Sequence, residues 1–452
     1  MNIKKIALLA GLAAISTQTY AANWLAVQGT EAPNASARAK VWGFIQPEYT
    51  RIMDDNKLPA STPFAGQNMS PNMAKPDNKS FESFNIRRAR IGVRGTGFPL
   101  DDKVNYFFLA EFGNNGITKL GKTGVAATDA SITLNHIPGA RIRVGLFKTP
   151  TAEEGLQAIH VFNYINFTNV TNQMLLERYT DGDGSNYNGL PASSPDYINT
   201  GGPLNGITGS VGAFRDQGIQ VFDTFKVNNW EHSYAVMYGN GNGINFGDND
   251  DNKDTYVYWS SELVYGGKGA RRQGLKMFAW NQSGTRTLTT SGAGEYDRDR
   301  NGFGFTFLKG RYRAAAEYIT ADGMIFNGSD GGAVPGSTNN PGDNRSDINI
   351  LTNGESDGYY LDFGYKVLPN LELDLRYDVL NRGTETVNGE RKFETVTLGA
   401  QYFFNKKTRI TMNYEIRDQE APGLPTSGAG SGANRIGDEL SDILSLQLLS
   451  IF

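Results

Sequence analysis

The stretch LELDLRYDV, at Leu371–Val379, decides the fold, because apolar and charged residues alternate along it without interruption. In an extended strand successive side chains point to opposite faces, so this stretch has one apolar face and one face of Glu, Asp and Arg. The stretches Thr395–Phe404 and Thr408–Arg417 repeat the alternation. The sequence therefore predicts an all-β protein whose sheet has one polar and one apolar face.

The same alternation predicts sixteen strands whose connections are short and long in strict turn. The predicted strands lie at 40–50, 84–96, 102–113, 127–136, 140–149, 215–226, 229–240, 254–266, 271–282, 297–308, 311–321, 355–366, 370–381, 391–404, 407–419 and 437–452. A soluble β-sandwich has no reason to sort its loops in this way, whereas outer-membrane barrels combine short periplasmic turns with long extracellular loops. We therefore expect a 16-stranded antiparallel transmembrane β-barrel with its polar face toward a wet lumen.

The first residues predict export. Lys4 and Lys5 precede an apolar run at 6–15, and small residues end the segment at Ala21-Ala22, which is typical of a secretory signal peptide. The alternative is a buried N-terminal helix, and the run is too short for a membrane helix, which needs about 20 residues. We expect residues 1–21 to be a signal peptide and residues 22–452 to form one β-barrel domain.

The composition supports a closed sheet. The chain has 54 Gly, 11% aromatic residues, 20% charged residues and no Cys, so an exported form has no disulfide to stabilise it. A sheet that closes on itself leaves no unpaired edge. The net charge of −4 and the absence of a basic run argue against nucleic acid as a partner.

Several predicted strands place basic residues on the polar face. Guanidinium groups bind phosphate and carboxylate with forked geometry, so a row of them can pass anions along a pore. We predict that the pore-lining, anion-binding residues are Arg88, Arg90, Arg94, Arg141, Arg143, Lys148, Arg178, Arg298, Arg300, Arg311 and Arg313. Acidic residues such as Glu317 and Asp374 share these faces, so a mixed wall with mild selectivity is the alternative.

The connection at 150–214 is the longest, and loops of this length in a compact domain are usually functional. We expect it to fold inward and narrow the pore; an excursion on the outer surface is the alternative. Its acidic residues, among them Glu153, Glu154 and Glu177, argue against strong anion selectivity.

Three stretches resemble the phosphate-selective porin O/P family: RRARIGVRGT at Arg87–Thr96, YFFLAEFG at Tyr106–Gly113 and RIRVGLFKTP at Arg141–Pro150. The resemblance implies a trimeric outer-membrane pore with an inward third loop and an arginine-lined anion passage. The terminal Phe452, on an alternating last strand, is similar to the signature by which the barrel assembly machinery recognises its clients. We expect a porin, surrounded by lipid and lipopolysaccharide, that passes small hydrophilic solutes and prefers phosphate-like anions.

Other functions remain as alternatives. A general or cation-preferring porin fits the negative net charge, and a specific sugar channel would show stacked lumen aromatics, whereas the predicted lumen faces are mostly charged, Gly or Thr. A hydrolase needs a base, most often His. Of the three histidines, His136 is predicted at a turn, His232 faces lipid and His160 lies in the long loop, so we predict no enzyme. Two acidic loops, 181–186 and 248–254, lack the glutamate of a calcium-binding EF-hand loop, so we expect solvated loops with no metal and no cofactor; calcium that bridges these loops to lipopolysaccharide is the alternative.

Overall fold

The computed structural model describes residues 23–27, 29–31, 38–53, 81–97, 100–119, 124–177, 214–244, 248, 250–267, 271–288, 294–328 and 348–452. The predicted signal peptide, the acidic loop at 181–186 and Arg178 lie outside these residues. The strands are β1 (Lys40–Ile52), β2 (Glu82–Gly97), β3 (Asp101–Glu111), β4 (Ala126–Leu134), β5 (Arg141–Lys148), β6 (Arg215–Val227), β7 (Trp230–Gly239), β8 (Asp254–Gly266), β9 (Gln273–Leu288), β10 (Gly294–Lys309), β11 (Tyr312–Asp322), β12 (Ile325–Gly328), β13 (Ile348–Leu351), β14 (Glu355–Leu368), β15 (Leu371–Arg382), β16 (Arg391–Phe403), β17 (Thr408–Glu420) and β18 (Ile443–Ile451). Helical turns are α1 (Trp24–Val27), α2 (Glu153–Leu156), a π-helical turn (Thr171–Leu175) and α3 (Gly432–Gly437).

Sixteen of the described strands form one closed antiparallel barrel, in which each strand pairs with its neighbours along the chain and β18 pairs with β1. The remaining two, β12 and β13, form a separate hairpin within the connection between β11 and β14. The predicted fold class is therefore confirmed. Because the ladder closes, no barrel strand presents an unpaired edge to lipid.

The side chains of β15 show which face is which. Leu373 and Leu375 are 47% and 46% exposed, whereas Asp374 and Arg376 are 5% and 2% exposed. Apolar residues thus point outward and charged residues point into the lumen, which is the arrangement of a transmembrane barrel and the reverse of a soluble protein. No helix within the described residues combines the length and apolar character needed to cross a membrane.

Several element ends differ from the sequence prediction. The predicted loop 283–296 is largely strand, because the alternating Thr285 and Thr287 continue the ladder opposite β10 as far as Leu288. The last strand begins at Ile443 rather than at 437, because the chain first forms α3, where the Asn434 amide donates to backbone carbonyls of the preceding loop. The strand predicted from 311 begins at Tyr312, which leaves Arg311 exposed in the preceding turn.

The seam between β1 and β18 depends on Gly43. Its backbone N–H donates to the carbonyl oxygen of Phe452 over 3.2 Å, and the N–H of Phe452 donates to the carbonyl of Gly43 over 2.9 Å. A Cβ atom on Gly43 would lie 2.4 Å from the Phe452 ring and 2.4 Å from the Arg90 carbonyl oxygen. The terminal aromatic ring therefore fits only over a residue without a side chain.

Replacing this glycine tests the seam. We expect Gly43→Val to destabilise the folded barrel by about 3 kcal/mol and to slow its assembly, because the added methyl groups overlap both the Phe452 ring and the neighbouring strand. Urea unfolding and heat-dependent gel mobility measure the two effects. Gly432→Ala is the matched control, since no atom lies within 4 Å of the added Cβ; equal stability of the two variants would contradict the prediction.

Candidate functional site

The lumen is not uniformly polar. On the walls of β6, β8 and β9, the lumen side chains of Phe222, Tyr258, Phe278 and Trp280 are at most 5% exposed. They pack in one apolar cluster with loop residues Leu156, Val170, Met174 and Leu176. The prediction that lumen faces are mostly charged, Gly or Thr is wrong for this sector. The loop covers these aromatic residues, so they form the surface against which it packs and are not open to the lumen.

The long loop begins at Lys148, which ends β5. Its ammonium group donates to the backbone carbonyls of Gly155 over 2.8 Å and of Gln157 over 2.5 Å, at the C-terminal end of α2. A cation is favourable there because the last carbonyls of a helical turn lack backbone partners. Lys148 therefore holds the first turn of the loop against the wall.

The loop then crosses the lumen to the opposite wall. The Tyr164 hydroxyl donates to Asp362 over 2.6 Å, and the Asn166 amide donates to Glu415 over 2.6 Å. The Ile165 backbone N–H donates to the Asn413 side chain over 2.8 Å. Acidic and amide groups on β14 and β17 thus accept the hydrogen bonds of the loop, and residues 149–177 lie inside the barrel.

The acidic residues of the loop are neutralised by the wall. Glu153 pairs with Lys276 at 2.5 Å, and Glu154 pairs with Arg376 at 3.2 Å. Glu154 also accepts a 2.8 Å hydrogen bond from the Thr168 hydroxyl. Both carboxylates are buried, so they hold the loop in place and contribute little free negative charge to the pore.

Most of the predicted anion-binding residues also have partners. The following pair with carboxylates: Arg90 with Glu111 (2.7 Å), Arg94 with Glu31, Arg141 with Asp223 (3.2 Å), Arg298 and Arg300 with Glu177, and Arg313 with Asp374 (2.5 Å) and two further acids. Arg143 donates to Thr133 and lies over the Phe222 ring at 4.4 Å. Arg311 faces solvent in its turn, outside this set.

Two predicted residues differ from the rest. Within the described residues, neither Arg88 nor Lys148 has a carboxylate oxygen within 4 Å; Arg88 donates to the Gln46 amide oxygen over 3.3 Å. Both line one space of about 320 Å³ beside the loop. In the described part of the chain, no carboxylate in direct contact cancels their positive charge.

A third cation of this kind, Arg409 on β17, was missed. It donates to Gln401 over 2.7 Å and to the Phe162 carbonyl, and it has no carboxylate within 4 Å in the described part of the chain. Its polar-face position follows from the alternation in Thr408–Arg417. The absence of an acidic neighbour could not be read there, because it depends on which strands and loops surround the residue.

An open space of about 950 Å³ lies between the loop and the short-turn end of the barrel. Trp24, Tyr164 and Arg271 line it together with both acidic and basic groups. Arg271, whose side chain is 33% exposed, pairs with Glu372 at 2.5 Å. The space therefore has a wall of mixed charge.

The histidines occupy three separate environments. His136 lies 2.6 Å from Asp101 at a short turn, and His232 lies on the outer face 2.9 Å from the Ser261 hydroxyl. His160 lies in the loop, with its ring 5.7 Å from that of Trp42. Among the described residues no group of three or more His, Asp or Glu could hold a metal ion.

Glu154→Gln tests the loop anchor. The change removes the 3.2 Å ion pair of Arg376 and leaves it only Asp378 at 3.9 Å, which should destabilise the inward position of the loop by about 3 kcal/mol. We expect noisier and larger single-channel currents together with a lower melting temperature. Glu420→Gln, an exposed residue at the end of β17, is the control; currents identical to those of the native protein in both variants would refute the anchoring role.

His160 predicts a pH dependence. Burial, and then the positive charge of Lys148, Arg409 and Arg90, lowers the pKa of His160 from 6.5 to about 4. An unfolded histidine binds its proton below pH 6.5, whereas the folded one stays neutral, so stability should fall as the pH drops from 6.5 to about 4 and change little above 6.5. Melting temperatures across this range should show a smaller decline for His160→Gln; an equal decline would exclude this residue as the source.

Comparisons with known proteins identify a family and similar barrel structures. The family model for phosphate-selective porin O and P matches residues 66–433. No curated protein matches the chain by sequence. The outer-membrane channel DcaP of Acinetobacter baumannii is 13% identical, with a TM-score of 0.51 over 94% of this chain and 100% of that chain. The anion-selective porin from Comamonas acidovorans is 13% identical, with a TM-score of 0.50 over 92% and 100%. OmpT of Vibrio cholerae, solved in a trimer form, is 12% identical, with a TM-score of 0.50 over 93% and 100%.

At these identities the structural likeness shows the barrel fold, and the family match covers more than half of the chain. The chain therefore belongs to the phosphate-selective porin O and P family of the bacterial outer membrane.

Proposed function

We propose that the protein is a passive diffusion porin for small hydrophilic solutes with a modest preference for anions. The supporting observation is the uncompensated charge of Arg88 and Lys148. A paired arginine and carboxylate cancel each other within a few ångströms, whereas an unpaired cation acts over a Debye length of about 8 Å in physiological salt. These two residues thus favour anions where the paired arginines do not.

The long loop sets the width of the pore in this proposal. Residues 149–177 cross the lumen and are held by hydrogen bonds at both walls. A pore narrowed in this way selects by size as well as by charge. Arg409, near the short-turn end of β17, adds a third cation that has no carboxylate within 4 Å among the described residues, so an anion meets favourable charge on both sides of the narrowing.

The preference is modest because most of the predicted arginine row is neutralised. Arg313 alone has three carboxylate partners. An arginine held in this way offers a permeating phosphate few free N–H groups. The family description and the anion-selective porin from Comamonas acidovorans support the sign of the preference, whereas the ion-pairing argues against high specificity for phosphate.

Three further features belong to the same proposal. The trimer form of OmpT supports a homotrimer of this chain. The placement of Asn23 and the residues after it inside the barrel supports removal of residues 1–21 as a signal peptide. We propose no catalytic activity, since His160 packs against the Trp42 and Phe44 rings rather than beside a nucleophile.

The reversal potential in planar bilayers under a potassium chloride gradient tests the proposal. The native protein should favour chloride, and Arg88→Gln combined with Lys148→Gln should shift the permeability ratio roughly two- to fivefold toward potassium, the effect of about 0.4–1 kcal/mol expected for unpaired charges beside a wet pore. Millimolar phosphate should reduce the current through the native pore more than through the double variant.

Two controls separate charge from shape. Arg88→Lys keeps the charge and should keep the selectivity, and Arg311→Gln removes one charge outside the lumen and should leave it unchanged. A native pore that favours potassium, or a double variant with native selectivity, would overturn the anion preference.

A further inference from the structure

Residues 23–27 and 29–31 lie inside the barrel near its short-turn end. Leu25 and Ala26, in α1, are 2% and 0% exposed, and Leu25 belongs to the same apolar cluster as the long loop. The wall residues that hold the segment lie at the short-turn ends of β2, β3, β5 and β7. The segment therefore occupies the part of the lumen in front of these four strands.

Two arginines predicted to bind anions hold this segment instead. Arg94 donates to the backbone carbonyls of Val27 over 2.9 Å and of Thr30 over 3.0 Å, and it pairs with the carboxylate of Glu31. Arg143 donates to the Leu25 carbonyl over 3.4 Å. The oxygen atoms of the segment thus take the positions at these guanidinium groups that an oxyanion would take.

Side-chain contacts fix both ends of the segment. The Asn23 amide donates to Glu231 over 3.4 Å and to the Ser233 hydroxyl, and the Glu31 backbone N–H donates to Asn105 over 2.9 Å. Between them Gly29 has a φ of +63°, which a residue with a side chain rarely adopts. This position lets the chain turn close against the wall, where a Cβ atom on Gly29 would lie 3.4 Å from the Ser131 hydroxyl oxygen.

The segment also borders the open part of the lumen. Trp24 lines the 950 Å³ space, whose opposite walls include Lys276 on β9, Thr306 on β10 and Arg313 on β11. The short-turn mouth is thus divided into an open side at β9–β11 and a side at β2–β7 that the segment fills.

We propose that residues 23–27 and 29–31 form a tethered plug that closes the β2–β7 side of the periplasmic mouth and masks an oxyanion site formed by Arg94 and Arg143. The Glu31 carboxylate is the tethered competitor at this site, and a free oxyanion such as inorganic phosphate competes with it. The inference rests on the proposed function in so far as the barrel conducts ions. It goes beyond that function because it assigns a second, masked anion site and the element that controls access to it.

A reversible lock gives the sharpest test. The chain has no Cys, so Gly29→Cys with Ser131→Cys introduces a single pair, since a Cβ atom on Gly29 would lie 3.4 Å from the Ser131 side-chain oxygen. The positive φ of Gly29 strains a Cys at this position, which further weakens the hold of the plug once the disulfide is reduced. Adding Leu25→Asp and Glu31→Gln to this background weakens the hold of the plug, because a charge replaces a buried apolar side chain and the ion pair with Arg94 is lost. Single-channel conductance in symmetrical potassium chloride is then recorded before and after addition of a reductant.

We expect the oxidised four-residue variant to conduct like the native protein and the reduced form to conduct roughly twofold more, because conductance follows the open cross-section of the pore. Millimolar phosphate on the periplasmic side should reduce the current of the reduced form more strongly, because Arg94 and Arg143 are then unmasked. The control variant carries Ser131→Cys, Leu25→Asp and Glu31→Gln but keeps Gly29, so it cannot form the disulfide. It should show high conductance with or without reductant.

A second readout does not depend on disulfide formation. Ser131 is 7% exposed, so a charged thiol reagent should label Ser131→Cys slowly in the otherwise native chain and rapidly when the weakening substitutions are present. Equal labelling together with unchanged conductance would overturn the plug. This outcome is distinguishable from failure of the anion preference, because conductance in symmetrical salt and thiol labelling do not depend on the sign of the permeant ion.

Discussion

The hydrogen-bond requirement of the backbone in lipid is the constraint on which the rest of the structure depends. An unpaired N–H or carbonyl group costs several kcal/mol in hydrocarbon, so a sheet that crosses the membrane must close. Closure here requires β18 to reach β1, and the contact of Phe452 with Gly43 shows how tightly the last residue fits. Once the sheet is closed, apolar side chains face lipid and polar ones face inward, as the exposures along β15 show.

An inward polar face creates a second requirement, because charges crowded inside a barrel are stable when they are paired or hydrogen-bonded. The chain meets it largely with its own segments. The loop after β5 brings Glu153, Glu154 and Glu177 to basic residues of the wall, and acidic wall residues accept hydrogen bonds from the loop. Ion pairing thus positions the loop across the lumen, and the same pairing removes most of the field that a row of arginines would produce.

In the proposed function, ion selectivity depends on the cations that this pairing leaves without a carboxylate partner. Among the described residues, Arg88, Lys148 and Arg409 have no carboxylate within 4 Å, so under the proposed function the electrostatic preference of the pore depends on a few cations and not on the number of arginines in the sequence. The N-terminal segment acts in the same way, since its Glu31 and its carbonyl groups occupy two arginines at the periplasmic mouth. Segments that enter the lumen therefore narrow the open cross-section, and they also neutralise part of the charge on the wall.

The sequence by itself determined the sixteen strands, the sorting of their connections and the polar face on which most of the described basic residues lie, because alternation and turn chemistry are local properties. The sequence prediction was wrong where a strand is extended by pairing with its neighbour, as β9 is to Leu288. It was also wrong where the lumen face carries aromatic side chains that pack against the long loop, as at Trp280. Only the tertiary structure decided which cations stay unpaired. Arg376 pairs at 3.2 Å with Glu154, 222 residues away, and Arg94 pairs with Glu31, 63 residues away. No local pattern encodes such contacts, because they form when loops fold across the lumen.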